Sequence, residues 1–242
     1  MTLLSDISLV IALDDGHYDE LDFALKTWEK YKPELFSLKK YIIYDSEMKK
    51  NIDKLRLTNC ELIRFEGVDK YDSRREAMLT SFFYAFDKIK TKYFIKIDTD
   101  CYANNFSREW IDQIMDIEKY CFISSPWGYT KNPQMFYDLE NWADNNHMFQ
   151  NSNRLNHTHK EGSNKIIHRR IISFFYIGNT QWHKEIANLC LKDGLYKLPC
   201  PSQDTFCWYC AERLNLPYKT IKFKRYGFSH GRLKKHMDKI KI

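Results

Sequence analysis

Short apolar runs alternate with stretches of helical spacing along the first 125 residues, and few folds accept that alternation. Ile7 to Leu13 is apolar throughout except for Ser8, as a strand buried on both faces requires. Asp14-Asp15-Gly16 makes a turn, after which Leu21, Ala24, Leu25 and Trp28 recur at helical spacing. Tyr41 to Tyr44 reads as a second strand, closed by Asp45 and Ser46. Met48, Ile52 and Leu55 mark a second helix, and Leu62 to Phe65 a third strand. Ser73-Arg74-Arg75-Glu76 fits a capping box, with Met78, Phe82, Ala85, Phe86 and Ile89 following on one face. The strand Tyr93 to Ile97 runs straight into Asp98-Thr99-Asp100. A helix around Trp110, Ile111, Ile114 and Met115 then leads to a strand from Cys121 to Ser125. This rhythm predicts an α/β fold with a mainly parallel central sheet and helices on both faces.

From Pro126 to about Lys165 the periodicity fades among Asn, His, Trp and Tyr. Ile171 to Ile177 restores a strand, Trp182, Ile186 and Leu189 a helix, and a further helix begins near Ser202. Tyr218 to Phe223 resembles a last strand. No repeat or linker divides the 242 residues, so one domain is expected, with a first half to about 125 and a second from about 126. Charged residues of both signs make up 29% of the chain, which excludes a disordered or fibrous class. Eight Gly and six Pro are few for a chain of many tight β turns.

The net charge of +6 attracts anions, and no Arg-rich stripe or nucleic-acid signature accompanies it. A phosphorylated small ligand is therefore expected rather than nucleic acid. The basic tail Arg232-Leu233-Lys234-Lys235-His236 offers a peripheral membrane contact. Seven cysteines scattered through strands and helices suit a reducing compartment, and no apolar run has the length of a membrane span. The expectation is a soluble, cytoplasmic chain.

Asp98-Thr99-Asp100 is the centre of the chemistry. Two carboxylates at i and i+2, just past a buried strand, lie at a carboxyl edge of the sheet, where open α/β sheets bind ligands. Their doubled charge calls for a cation, and oxygen ligands suit Mg²⁺ or Mn²⁺. The bland alternative is a solvated acidic turn.

An apolar strand entering D-x-D after about one hundred residues of βα units resembles the GT-A glycosyltransferases. In that family the first Asp contacts the donor's ribose and the last holds the metal that bridges both phosphates. The resemblance gives those roles to Asp98 and Asp100. Phe94-Ile95-Lys96-Ile97-Asp98 is also similar to the lysine-containing strand of some galactosyltransferase-like members. Ser202-Gln203-Asp204-Thr205 resembles the segment whose Asp is the base of inverting members, with Gln203 in place of the frequent Glu. Gly227-Phe228-Ser229-His230-Gly231 resembles the segment whose His completes the metal site. The resemblance also places Arg74, Arg75, Asp14 and Asp45 near the donor nucleotide. It implies Mn²⁺ or Mg²⁺ held by Asp98, Asp100 and His230, and a nucleotide-sugar donor, UDP-linked by preference. The acceptor would be a glycan, lipid-linked or protein hydroxyl.

Two other functions compete. A haloacid-dehalogenase-type phosphatase would use Asp98 as nucleophile, but Tyr102 stands where that motif has Thr or Val, and three strands precede it. A sugar-binding module without chemistry would have no call for Asp98, Asp100, Asp204 and His230 together. Cys207-Trp208-Tyr209-Cys210 has redox spacing but lies inside a helix, where both thiols read as core. Asp98 to Glu109 has the length of a calcium loop, yet Tyr102 and Ala103 occupy places that need a ligand and a Gly.

Overall fold

The computed structural model describes residues 4–66, 81–126, 134–145, 149, 171–192 and 203–240. The strands are β1 (Ile7–Leu13), β2 (Lys39–Asp45), β3 (Cys60–Phe65), β4 (Tyr93–Ile97), β5 (Cys101–Ala103), β6 (Phe122–Pro126), β7 (Ile171–Asn179), β8 (Lys219–Thr220) and β9 (Phe228–His230). Among the helices are α1 (Tyr18–Tyr31), α2 (Pro33–Ser37), α3 (Glu109–Ile114), α4 (Gln134–Asn145), α5 (Thr180–Lys192) and α6 (Gln203–Arg213). Residues 81–85 are helical as well, which agrees with the periodicity through Phe82 and Ala85. The capping box, with Arg74 and Arg75, lies outside the described residues.

Seven strands form one sheet in the order β3-β2-β1-β4-β7-β6-β8. β1, β2, β3 and β4 are parallel, β6 and β8 are parallel to each other, and β7 runs antiparallel to both of its neighbours. The mainly parallel sheet is as expected. Alternation sends successive side chains of each strand into different cores. Leu9, Ile11, Ile95 and Ile97 join Trp28 of α1 on one face, while Val10, Tyr41 and Phe94 join Phe82, Phe86 and Phe206 on the other. Both faces are covered, which is why β1 and β4 are apolar apart from Ser8 and Lys96.

The structure corrects three local expectations. The second helix shrinks to a 3-10 turn at Ile52–Lys54, because the Asp15 carboxylate captures the backbone N–H groups of Lys49 and Lys50 at 2.9 Å. The last strand is cut to β8, since the chain turns at Ile221 to bury Phe223 against Phe175, ring centroids 4.2 Å apart. The stretch after Pro126 contains a regular helix, α4, where no periodicity was expected. Its inward face mixes Leu139 and Ala143 with the buried Glu140, and a charged residue on the core face hides the apolar period.

One buried imidazole sets a pH limit on this fold. His183 donates from Nδ1 to Asn179 O at 2.6 Å and accepts at Nε2 from the Tyr176 hydroxyl, an arrangement that uses the neutral ring. Gly178 leaves the room: a Cβ there would sit 2.5 Å from His183 Cε1 and 2.8 Å from Phe94 Cζ. Burial pushes the His183 imidazole down to about 3, partly offset by the Asn179 carbonyl. Its neutral form therefore contributes fully above the unfolded value near 6.5, and the contribution is lost as pH falls from there towards 3. Stability should drop by about 1.4 kcal/mol per pH unit from this group across that window. Denaturant titrations between pH 7 and about pH 4, with ring NMR, check it. A His183 ring that titrates near 6.5 in the folded protein would contradict it.

Candidate functional site

β4 delivers Asp98 to the carboxyl edge of the sheet, where the backbone turns sharply. Asp98 N–H donates to Phe174 O of β7, and Cys101 N–H donates to Asp98 O, each at 3.0 Å. The chain leaves this turn as β5, which pairs antiparallel with β9: Cys101 opposite His230, Tyr102 opposite Ser229 and Ala103 opposite Phe228. Gly231 N–H donates to Asp100 O at 3.2 Å and extends that ribbon by one step. Residues more than a hundred positions apart are thereby held side by side.

The ribbon brings together the three residues expected to bind metal. His230 Nε2 lies 3.1 Å from Asp100 Oδ1 and 3.6 Å from Asp98 Oδ2. One ligand atom from each of the three falls within 4.8 Å of the others. Lys96 Nζ donates to Asp98 Oδ1, so the lysine expected on β4 is in the site. The Phe174 ring stacks on the His230 ring at 5.3 Å between centroids. Side-chain exposures of 37% for His230, 29% for Asp98 and 22% for Asp100 leave the group open to a ligand.

The imidazole and the two carboxylates shift one another's protonation. Hydrogen bonds to Asp100 and then Asp98 raise the His230 imidazole to about 9, against the effect of burial. Burial by itself would raise the Asp98 carboxyl, but Lys96 and His230 outweigh it and hold Asp98 below its usual value. Two carboxylates and one imidazole at this spacing suit Mn²⁺ or Mg²⁺, and they supply fewer ligands than either ion takes. The donor set fits.

Two of the other expected residues end neighbouring strands of the sheet. Asp14, at the end of β1, accepts from His17 N–H at 3.0 Å and contacts the His17 ring at 2.7 Å. Asp45, at the end of β2, accepts from Glu47 N–H at 3.0 Å. Both lie on the carboxyl edge, engaged in local turns. Asp204 lies in the first turn of α6, a helix that packs on β7. Cys207 and Cys210 are buried core residues of the same helix. Trp142 and Trp182 pack at the margin of the core.

Some residues around the site were not foreseen. Phe174 carried no signal beyond its place in an apolar strand. Glu20 of α1 takes a backbone hydrogen bond from Leu233, three residues past His230. Burial raises the Glu20 carboxyl, with the negative charge of Asp100 adding to it.

No family model matches this sequence, and no curated protein matches it either. The fold is that of the GT-A-type glycosyltransferases. Core-mannan synthase A of Aspergillus fumigatus, in its Mn/GDP form, superposes with a TM-score of 0.62 at 10% identity, over 93% of this chain and 74% of that one. The mannosyltransferase Ktr4p of S. cerevisiae in complex with GDP gives 0.60 at 11%, over 93% and 71%. Apo mouse xyloside xylosyltransferase 1 gives 0.56 at 10%, over 94% and 98%.

Proposed function

We propose that this chain is a divalent-metal-dependent glycosyltransferase that moves a sugar from a nucleoside diphosphate sugar to an acceptor hydroxyl, with inversion. The observation that supports it is the convergence of Asp98, Asp100 and His230 at the carboxyl edge of a GT-A-type sheet. In this reading Asp98, Asp100 and His230 hold Mn²⁺ or Mg²⁺, which when bound neutralises the diphosphate leaving group. Lys96 orients Asp98 and adds positive charge beside the diphosphate. Asp14, Asp45, Arg74 and Arg75 bind the nucleotide end of the donor. Asp204 removes the proton from the acceptor hydroxyl as that oxygen attacks the anomeric carbon. Asp204 falls in the first turn of α6, and a helix N-terminus favours an ionised carboxylate in general, the state a base needs.

The same reading makes the chain one catalytic domain, with the donor on the half up to about residue 125 and the acceptor on the rest. UDP-sugars and GDP-sugars are both to be tried as donors, since two of the similar structures carry GDP. Among the described residues no helix is long and apolar enough to cross a membrane. Peripheral contact through Arg232, Lys234 and Lys235, all exposed, belongs to this reading too.

The test is a screen of nucleotide sugars for hydrolysis and transfer with Mn²⁺ or Mg²⁺, followed by Asp204→Asn on the active pair. Donor affinity should stay near wild type while transfer falls by roughly 10² or more, the scale of general-base loss. Wild-type transfer by Asp204→Asn would remove that residue from the mechanism. Hydrolysis of simple phosphomonoesters, with no nucleotide sugar consumed, would restore the phosphatase reading.

A further inference from the structure

His230 meets Asp98 and Asp100 only because β9 lies beside β5 in one register, and three-residue strands cannot secure a register alone. The edge of β5 turned away from β9 is covered by side chains of α1. Trp28 Nε1 donates to Cys101 O at 2.9 Å, and Ala103 N–H donates to Thr27 Oγ1 at 3.0 Å. Past the end of α1 comes Lys32, fully buried. Its ammonium donates to Tyr226 O at 2.8 Å, to Asn105 Oδ1 at 3.3 Å and to Ser107 O. Tyr226 precedes β9 and Asn105 follows β5, so one cation ties the open ends of both strands. Phe228 of β9 lies beneath it, ring centroid 5.3 Å from Nζ.

The same corner requires a glycine. Gly227 adopts φ +84°, and a Cβ there would fall 2.1 Å from Asn105 Oδ1, the atom that Lys32 holds. Asn104 N–H donates to Gly227 O at 2.9 Å across the same gap.

We infer that Lys32 is a positioning residue for the metal site: its three bonds to the ends of β5 and β9 set the register that places His230 against Asp98 and Asp100. The inference deepens the proposed function and rests on its reading of these three residues as metal ligands. A second buried lysine provides the control. Lys40, at the start of β2 and so at the amino edge of the sheet, donates to Leu38 O at 3.1 Å, Thr58 O at 3.0 Å and Phe36 O. It does the same kind of structural work away from the site.

The experiment compares wild type, Lys32→Met, Asn105→Ala and Lys40→Met for Mn²⁺ affinity by calorimetry, with GDP or UDP present. Lys32→Met should weaken Mn²⁺ binding by about tenfold to a hundredfold, the usual cost of losing a residue that orients a ligand. Asn105→Ala should shift it the same way by less, and Lys40→Met should lose thermal stability with Mn²⁺ affinity unchanged. Amide exchange at Asn104 and Gly231 reads the ribbon without metal. Both amides should exchange at least about tenfold faster in Lys32→Met, while the β4 amides keep their protection. Wild-type Mn²⁺ affinity and ribbon protection in Lys32→Met, or an equal loss of both in Lys40→Met, would overturn the inference. If Lys32→Met does not fold, Asn105→Ala decides on the same two readouts. A wild type that binds no Mn²⁺ would overturn the metal-site reading instead, and ribbon exchange would still report on Lys32.

Discussion

Asp100→Asn should abolish the divalent-dependent part of nucleotide binding while leaving the fold intact. The substitution keeps the size of the side chain and removes one of the two negative charges within 4.8 Å of the His230 ring. Asp100 Oδ1 is also the nearer partner of His230 Nε2, at 3.1 Å, so an amide weakens the hold on the imidazole as well. Residues that only orient a ligand typically cost 10- to 100-fold when changed, so a direct ligand should exceed about 100-fold. Calorimetry with GDP and UDP, with Mn²⁺ and with chelator, checks this. Affinities that match wild type, or a wild type indifferent to chelator, would remove Asp100 from any metal role. The fold should tolerate the change because the Asp100 carbonyl, which accepts from Gly231, is untouched.

How far the sequence reached depended on whether a signal was local. β1, β2, β4 and α1 were readable because burial on both faces of a parallel sheet writes itself as continuous apolar runs separated by helical spacing. Asp98 and Asp100 were readable because they follow such a run directly. His230 was readable only through a family likeness, since its partnership with Asp98 and Asp100 depends on a ribbon of three-residue strands, too short for any periodicity. The reversed direction of β7 was hidden for a related reason: apolar residues alternate alike in both directions. Lys32 was invisible because a lone lysine in a sequence looks like surface, whereas here it donates to acceptors up to 194 positions away. The nest around Asp15 misled in the opposite sense, with two backbone groups taken out of a helix by a residue 34 and 35 positions earlier.

The segment after Pro126 was the hardest to read, and its helix is fastened by a charge pair that leads to the largest stability effect expected. Arg213, at the end of α6, donates through Nη1 to Glu140 of α4 and to the Tyr209 hydroxyl at 3.0 Å. Its guanidinium lies 4.9 Å from the Phe149 ring centroid, and Asp144 stands 3.7 Å from Nη2. Arg213 and Glu140 are each only 2% exposed at the side chain, so neither charge can exchange its partner for water. Arg213→Met takes the guanidinium away from a buried carboxylate and should cost about 3–5 kcal/mol in denaturant unfolding. Glu140→Leu should cost less, because Asp144 and the Phe149 ring still face the arginine. The double variant Arg213→Met/Glu140→Leu removes both desolvation penalties and should recover most of the loss, since well-packed apolar replacements of buried pairs are often neutral or better. Two single losses that simply add in the double variant would show that the pair is not coupled. The coupling bears on function because α6 also carries Asp204 in its first turn, so the pair ties α4 to the helix of the proposed base. Loosening it should lower the transfer rate in the single variants, and the double variant should regain the rate together with the stability.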